Sequence, residues 1–273
     1  MKKTNSVLLS TPYLLWMAAF TLVPLGVVAY YALTDPSTGV FTLGNLKNLG
    51  MYLPVLWKSI AYSFVSAMIC LLLGYPVAYY IAHCSETAQK FLYMLIMLPM
   101  CMSFLLRTLA WVGLLQDTGI INSLLAKIGL PTLRLIRTPA AVVLGMVYNY
   151  LPYMILPLYT AMTKIDQSVV EAAQDLGAGM GKILTRVLIP LSVPGIATGI
   201  TMVFVPAVST FVISRMLGGG SNLLIGDLIE MQFLGNSYNL NVGSAMSLVL
   251  MIIVLLCMSF TSSFDEDEME GVS

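Results

Sequence analysis

Five stretches of this chain contain no Asp, Glu, Lys or Arg: residues 4–34, 59–85, 138–163, 187–214 and 231–264. Each exceeds the ~20 residues a helix needs to cross ~30 Å of hydrocarbon. A sixth stretch, 91–116, is interrupted by one basic residue, Arg107. The 273 residues include only 13 Lys+Arg and 13 Asp+Glu, against 58% hydrophobic residues. That is too little charge to coat a water-soluble surface, and no basic patch is left for a nucleic acid. The pattern predicts an all-α, polytopic membrane protein: one transmembrane domain over residues 1–273 with six transmembrane helices, at about 12–33, 59–82, 91–115, 139–162, 188–213 and 242–260. Pro24, Pro99, Pro152, Pro157, Pro194 and Pro206 should kink these helices, which membranes tolerate where neighbours or water take up the freed carbonyls.

The four cysteines do not redirect this reading. Cys70, Cys101 and Cys257 fall in apolar spans and Cys84 in a short loop, with no C-x-x-C pair, so they read as small hydrophobes. His83 beside Cys84 has no further ligand nearby for a metal. Lys2 and Lys3 precede an apolar run to Leu33 that is too long for a signal-peptide core, which makes it an uncleaved first span. With the N-terminus inside, Lys2, Lys3, Lys90, Lys164, Lys182 and Arg186 lie in inner segments and Lys47, Lys58, Lys127, Arg134, Arg137 and Arg215 in outer ones. The inner segments are shorter and their charge denser, which favours cytoplasmic N- and C-termini. The tail 261–273, with Asp265, Glu266, Asp267, Glu268 and Glu270, reads as a solvated end.

The cytoplasmic loop 164–187 is the most informative stretch. Ser168 followed by Glu171 spells a capping box, which predicts a helix from Val169, and Gly177 should close it. Val169, Ala172, Ala173 and Leu176 share one face, with Gln174 and Asp175 elsewhere. A helix this short falls below the ~12 to 15 residues that hold helicity in water, so it needs a surface to dock on. Ala172 and Ala173 permit close approach. Glu171, Gln174 and Asp175 make the helix acidic, where one resting on lipid headgroups favours Lys and Arg. The expectation is a peg seated in a groove of a partner protein.

At these residues the sequence resembles the EAA motif of ATP-binding-cassette importer permeases: Glu-Ala-Ala, three residues, Gly, nine residues, then Ile-x-Leu-Pro. Glu171, Ala172, Ala173, Gly177 and Pro190 match in register, while Val187 and Ile189 stand where the motif has Ile and Leu. The resemblance implies a type I importer permease in the inner (plasma) membrane of a bacterium. It also implies that Ser168, Glu171, Ala172, Ala173, Asp175, Leu176, Gly177 and Pro190 couple the chain to a cytoplasmic ATPase dimer, which binds ATP and Mg. A second related permease and an extracytoplasmic solute-binding protein would complete the assembly, and alternating access would move the solute. No cofactor is expected in this chain itself. Its nearest approach to a phosphate loop, residues 176–183, has Leu176 where a Walker A needs Gly and Ile183 where it needs Ser or Thr, with no preceding strand.

Residues 73–80, 103–108 and 218–234 are similar to B-type permease subunits of spermidine/putrescine importers, although permeases for other organic ions, sulfate or iron share parts of them. A polycation needs aromatic faces and a few carboxylates along its path. Tyr148, Asn149, Tyr150 and Tyr153 of the fourth span could supply the first, and Asp117, Asp227 and Glu230 of the outer loops the second. Against this, tyrosines at span ends often form an interfacial belt and loop acids are usually solvated. Arg107, ~24 Å up its span at ~1.5 Å per residue, suits an outer gate or inter-subunit contact, or snorkels to water. A self-sufficient ion-coupled transporter would need carboxylates within spans, yet every Asp and Glu falls in a loop or tail. An intramembrane enzyme would need a nucleophile with a base or a metal, and His83 has no carboxylate in place.

Overall fold

The computed structural model describes residues 12–13, 15–36, 38–220, 222–235 and 238–270. Lys2 and Lys3 fall outside the described residues. Every named element among the described residues is helical, as hydrocarbon demands, because it holds no water to satisfy an open sheet edge. Leu15–Ala32, Gly44–Ala82, Phe104–Lys127, Pro139–Met162 and Leu240–Ser259 are each long and apolar enough to cross a membrane. Met180–Leu191 and Val193–Val208, bent by 70° at their junction, make a sixth if the pair is one span.

Contacts divide the chain into two compact units, residues 1–54 with 228–253 and residues 55–227 with 254–273. In the first unit, α1 (Val23–Ala32) ends where two asparagines take its last carbonyls. Asn45 Nδ2 donates to Ala32 O (3.2 Å) and Thr34 O (2.9 Å), and Asn241 Nδ2 donates to Tyr31 O (2.9 Å) and Thr34 O (2.7 Å). Both side chains are buried, and they satisfy groups that a helix C-terminus leaves without intrahelical partners.

Besides the short Gly44–Lys47 and Ile189–Leu191, the α-helices that follow are α2 (Leu53–Ala82), α3 (Glu86–Met97), α4 (Phe104–Leu115), α5 (Ile120–Lys127), α6 (Pro139–Met162), α7 (Gln167–Asp175), α8 (Met180–Ile183), α9 (Val193–Val208), α10 (Val212–Gly218), α11 (Ile225–Leu234) and α12 (Leu240–Glu270). The second unit is built around α6. Thr138 caps it, accepting from Ala141 N at 3.1 Å, with Pro139 in the first turn where its missing N–H costs nothing. Val142, Met146, Met154 and Leu158 of α6 are fully buried. Glycines let other helices approach it closely. A Cβ on Gly195 would lie 2.5 Å from Ala161 Cβ and 2.9 Å from Pro157 O, so α9 meets α6 nearly backbone to backbone. Gly145 of α6 likewise leaves room for Ile213 and Leu217 of α10. Small residues at helix contacts are how membrane helices associate without a hydrophobic driving force between them.

Three expectations are corrected and one is met. The third span is not one helix over 91–115: α3 stops at Met97, Pro99 sits in a 3₁₀ turn at Leu98–Cys101, and Met102 (ψ 150°) and Ser103 (ψ 126°) are extended before α4 begins. Pro99 has no N–H to carry the ladder forward. The kink expected at Pro194 in the fifth span is present, as a 70° bend at Ser192 (φ −100°, ψ 5°) with Pro194 in the first turn of α9. Lys58, expected in the outer segment just before a second span starting at residue 59, lies inside α2, where its Nζ donates to Asn222 Oδ1 at 3.2 Å and sits 5.4 Å from the Tyr62 ring centroid. Finally, α12 runs on to Glu270 through much of the expected tail; the side chains of 262–270 lie outside the described set.

Candidate functional site

The loop that precedes α8 folds into α7, with a start different from the one expected. Asp166, not Ser168, is the N-cap: its Oδ1 accepts from Ser168 N at 2.9 Å, so the helix begins at Gln167. A carboxylate fits this place because it meets both the unpaired N–H groups and the positive end of the helix. The same bond from the Ser168 backbone N–H holds the exposed Asp166 carboxyl below its ordinary pKa. Ser168 and Glu171 then fall inside the helix, both exposed. At the other end, Gly177 is left-handed (φ 75°). Gly177 N donates to Gln174 O (2.8 Å) and Ala178 N to Ala173 O (3.0 Å). This pair of bonds is a Schellman closure and rigidly sets where the chain leaves for α8.

The expected apolar stripe is split between two faces. Ala173 turns inward beside Val170, which is 4% exposed and packs with Ile183 and Leu188, flanked by Tyr79 and Ile165. Val169, Ala172 and Leu176 turn outward, Leu176 at 89% exposure, with Glu171 and Asp175 also exposed. One face of α7 therefore ties the helix to its own chain, and the other leaves Leu176 almost uncovered among the described residues. Val170 escaped the sequence reading because two adjacent valines serve opposite faces. Pro190 is exposed in the turn Ile189–Leu191, two residues before the bend.

The proposed path residues have different surroundings. Tyr148, 40% exposed, meets Trp111 edge-on at 5.4 Å. Tyr150 is buried, stacks on Phe104 at 6.4 Å and donates to Pro206 O at 3.3 Å. Tyr153 is 37% exposed, its ring 6.3 Å from that of Tyr150. Asn149 is buried; its Nδ2 donates to Gly145 O at 2.9 Å, and its Oδ1 has no hydrogen-bond partner among the described residues. Asp117 is exposed in the turn between α4 and α5, and Glu230 is half-buried in α11. Asp227 corrects the reading of it as a solvated loop acid: it is wholly buried in the first turn of α11, and its Oδ2 accepts from Leu224 N at 2.8 Å. An acid three residues into a helix reaches back to the N-cap amide in this way.

Arg107 corrects the snorkelling reading. It is 7% exposed on α4, and its Nε and Nη1 lack hydrogen-bond partners among the described residues. Most of its side chain is packed within the chain, which distance along the helix axis could not reveal.

A cavity of about 350 Å³ that the sequence reading missed opens between α7 and the ends of α2 and α6, lined by Tyr79, His83, Glu86, Gln89, Gln167 and Val170 among others. The proximity of His83 to Glu86 in the sequence was the available signal.

The family model for the inner membrane component of binding-protein-dependent transport systems matches residues 74–265. The chain is 37% identical over 250 residues to the spermidine/putrescine transport system permease protein PotB of Haemophilus influenzae, covering 88% of this chain and 87% of that one. To PotB of Escherichia coli it is 35% identical over 248 residues, covering 88% and 90%. Among solved structures it is similar to a chain of a bacterial ABC transporter involved in import of the acidic polysaccharide alginate, with TM-score 0.77, 18% identity and 96% of both chains covered. That likeness bears on the fold alone. The matched span takes in the capped, Gly177-closed helix with its outward apolar face, and this chain belongs to the binding-protein-dependent transport system inner membrane components, transport subunits of ABC importers with no enzymatic role of their own.

Proposed function

We propose that this chain is one permease subunit of a polyamine importer, carrying spermidine or putrescine by alternating access driven by a separate ATPase dimer that binds ATP and Mg. The outward face of α7, Leu176 above all, is the observation that carries the coupling half of this reading: an apolar residue at 89% exposure next to a rigid Gly177 closure is built to be covered. The relatives named for spermidine/putrescine transport support the substrate half. With α7 on the ATPase, the N- and C-termini are cytoplasmic. A second related permease and an extracytoplasmic solute-binding protein complete the complex.

Along the path, Tyr148, Tyr153 and Asp117 are open to a passing cation and Glu230 is partly so, while Asn149, Tyr150 and Asp227 are enclosed by the chain. The unsatisfied donors of Arg107 support a role at an outer gate or against the second permease, either of which could bring acceptors. The test is uptake by the reconstituted complex with its binding protein. Spermidine and putrescine should stimulate ATP hydrolysis and accumulate against a gradient, and an excess of sulfate or an iron chelate should not compete. Stimulation by another solute alone would reassign the substrate. Uptake driven by a proton or sodium gradient without ATP would refute the coupling.

A further inference from the structure

We propose that the groove along the seam of α6 and α9 holds one anionic phospholipid, its phosphate at Lys164 and one of its acyl chains running toward Leu156 and Met202. The two helices pack antiparallel and nearly backbone to backbone: a Cβ on Gly195 would meet Ala161, and one on Gly199 would lie 2.7 Å from Met154 Sδ. Where they part, a cavity of about 390 Å³ opens, of a size that holds small ligands. Its walls are two rows at helical i, i+4, i+8 spacing: Leu156 and Thr160 of α6 with Lys164 just past its end, and Pro194, Thr198 and Met202 of α9. From Leu156 to Lys164 is ~12 Å at ~1.5 Å per residue, close to the ~15 Å of hydrocarbon in one leaflet.

The groove changes polarity along its length as a phospholipid does. Lys164, exposed, is the only charged residue in the lining. Pro194, in the first turn of α9, brings the positive end of that helix to the same place. The negative end of α6 is already answered there: Tyr159 O accepts from Thr163 N (2.9 Å), Ala161 O from Lys164 N (3.2 Å), Met162 O from Ile165 N (3.2 Å) and Thr160 O from Thr163 Oγ1 (3.0 Å). Farther along, Thr160 and Thr198 spend their hydroxyl protons on Leu156 O (3.0 Å) and Pro194 O (2.9 Å) of their own helices. Beyond them the lining is apolar, with Leu156, Pro157 and Met202. A free anion would leave that end uncovered, whereas an acyl chain fills it. The occupant touches both helices and so stabilises their seam by mass action. The site rests on α6 and α9 lying in a membrane and not on the substrate; only its place in the cytoplasmic leaflet rests on the docking of α7 proposed above.

The experiment uses the complete complex in detergent, stripped of lipid, with dioleoylphosphatidylglycerol or zwitterionic dioleoylphosphatidylethanolamine added back; neither the orientation in a membrane nor the solute carried affects its outcome. Native mass spectrometry should show phosphatidylglycerol retained where phosphatidylethanolamine is lost, and phosphatidylglycerol should raise the Tm of the complex. Lys164→Met should raise the concentration that gives half of this rise roughly fivefold, the contribution of one basic side chain near an anionic headgroup, and Lys164→Arg should restore it. Thr160→Trp, at an exposed position, fills the groove and should remove both the retained lipid and the Tm rise; if it does not assemble, Lys164→Met decides. No retained phosphatidylglycerol in the wild type, an unchanged half-point in Lys164→Met, or wild-type behaviour of Thr160→Trp would overturn the site. So would displacement of the lipid by millimolar inorganic phosphate, which marks a free-anion site. Crosslinking of Thr160→Cys to the second permease in the stripped complex would overturn it too, by showing that a subunit covers the seam.

Discussion

Replacing Leu176 by Ser separates docking from folding. The side chain is 89% exposed, so the isolated subunit should lose less than about 0.5 kcal/mol, as for an ordinary surface change. If a partner groove covers it, nearly the whole side chain leaves water on assembly, which contributes ~1.5 to 3 kcal/mol. At ~1.4 kcal/mol per decade, L176S should bind the ATPase dimer about 10- to 100-fold more weakly. Val170→Ala is the contrasting change. That residue is 4% exposed against Ile183 and Leu188, so its truncation should cost the subunit itself about 1 to 3 kcal/mol by leaving a void. Titration of labelled ATPase against the detergent-solubilised permease pair, together with thermal unfolding of each permease variant, reads both quantities. The reasoning fails if L176S keeps wild-type affinity for the ATPase, or if it lowers the subunit's own Tm as much as V170A does.

Gly195→Ala should cost about 1 to 3 kcal/mol in thermal unfolding, because the new Cβ meets Ala161 and the Pro157 carbonyl at 2.5 and 2.9 Å; Gly181→Ala, with nothing within 4 Å, is the control and should change little. Arg107→Met should leave the isolated subunit as stable as before, or up to about 4 kcal/mol more so, since it removes a buried guanidinium with two unsatisfied nitrogens; a clear fall in the subunit's Tm would mean that the charge is already compensated within the chain. The Asp166 carboxyl, held below its ordinary value of 3.8, strengthens the start of α7 fully above that value and loses this as pH falls through the lowered folded-state pKa. ATPase coupling should therefore be flat in this respect from about pH 5 upward, and Asp166→Asn, which keeps the accepting oxygen, should give the same profile there; a step near neutral pH abolished by Asn would contradict it.

Solvent and glycine account for the part of the fold that was legible in the sequence. Charge-free runs had to be helices, and Gly177 had to close one, because few other residues adopt φ 75° without strain. The hidden part was set by three-dimensional neighbours. A pattern of apolar residues along 91–115 cannot tell whether Pro99 kinks a helix or ends it, since both satisfy hydropathy. Ser168 and Asp166 are both good caps, and only the helix's packing through Val170 selects the start that Asp166 serves. Asp227 looked like a loop acid because the residues before it are glycine-rich; its burial depends on α11 being inside the protein, where its carboxylate completes the helix start. Arg107 could be ranked by depth from the sequence, but not by the direction its side chain takes.

A docked peg moves nothing unless it is joined to what must move, and the second unit supplies that joint by packing. Val170 locks α7 onto Ile183 and Leu188, so α7 and α8 share a small core of their own. Leu188 lies in the π-helical turn that carries α8 toward the bend, and there Ser192 Oγ donates to Leu188 O at 2.7 Å while standing 3.1 Å from Tyr75 Oη of α2. Beyond the bend, Gly195 presses α9 against α6 closely enough that a single methyl would not fit. Interiors packed this tightly switch between arrangements more readily than they deform. On the proposed coupling, a displacement of α7 would therefore be carried to α2 and α6 through these packed contacts. Between α8 and α9 the backbone departs from regular helix at the π-helical turn Leu184–Leu188 and at Ser192, and on the proposed coupling these are the places where a rotation would be taken up without breaking the α6 and α9 pairing.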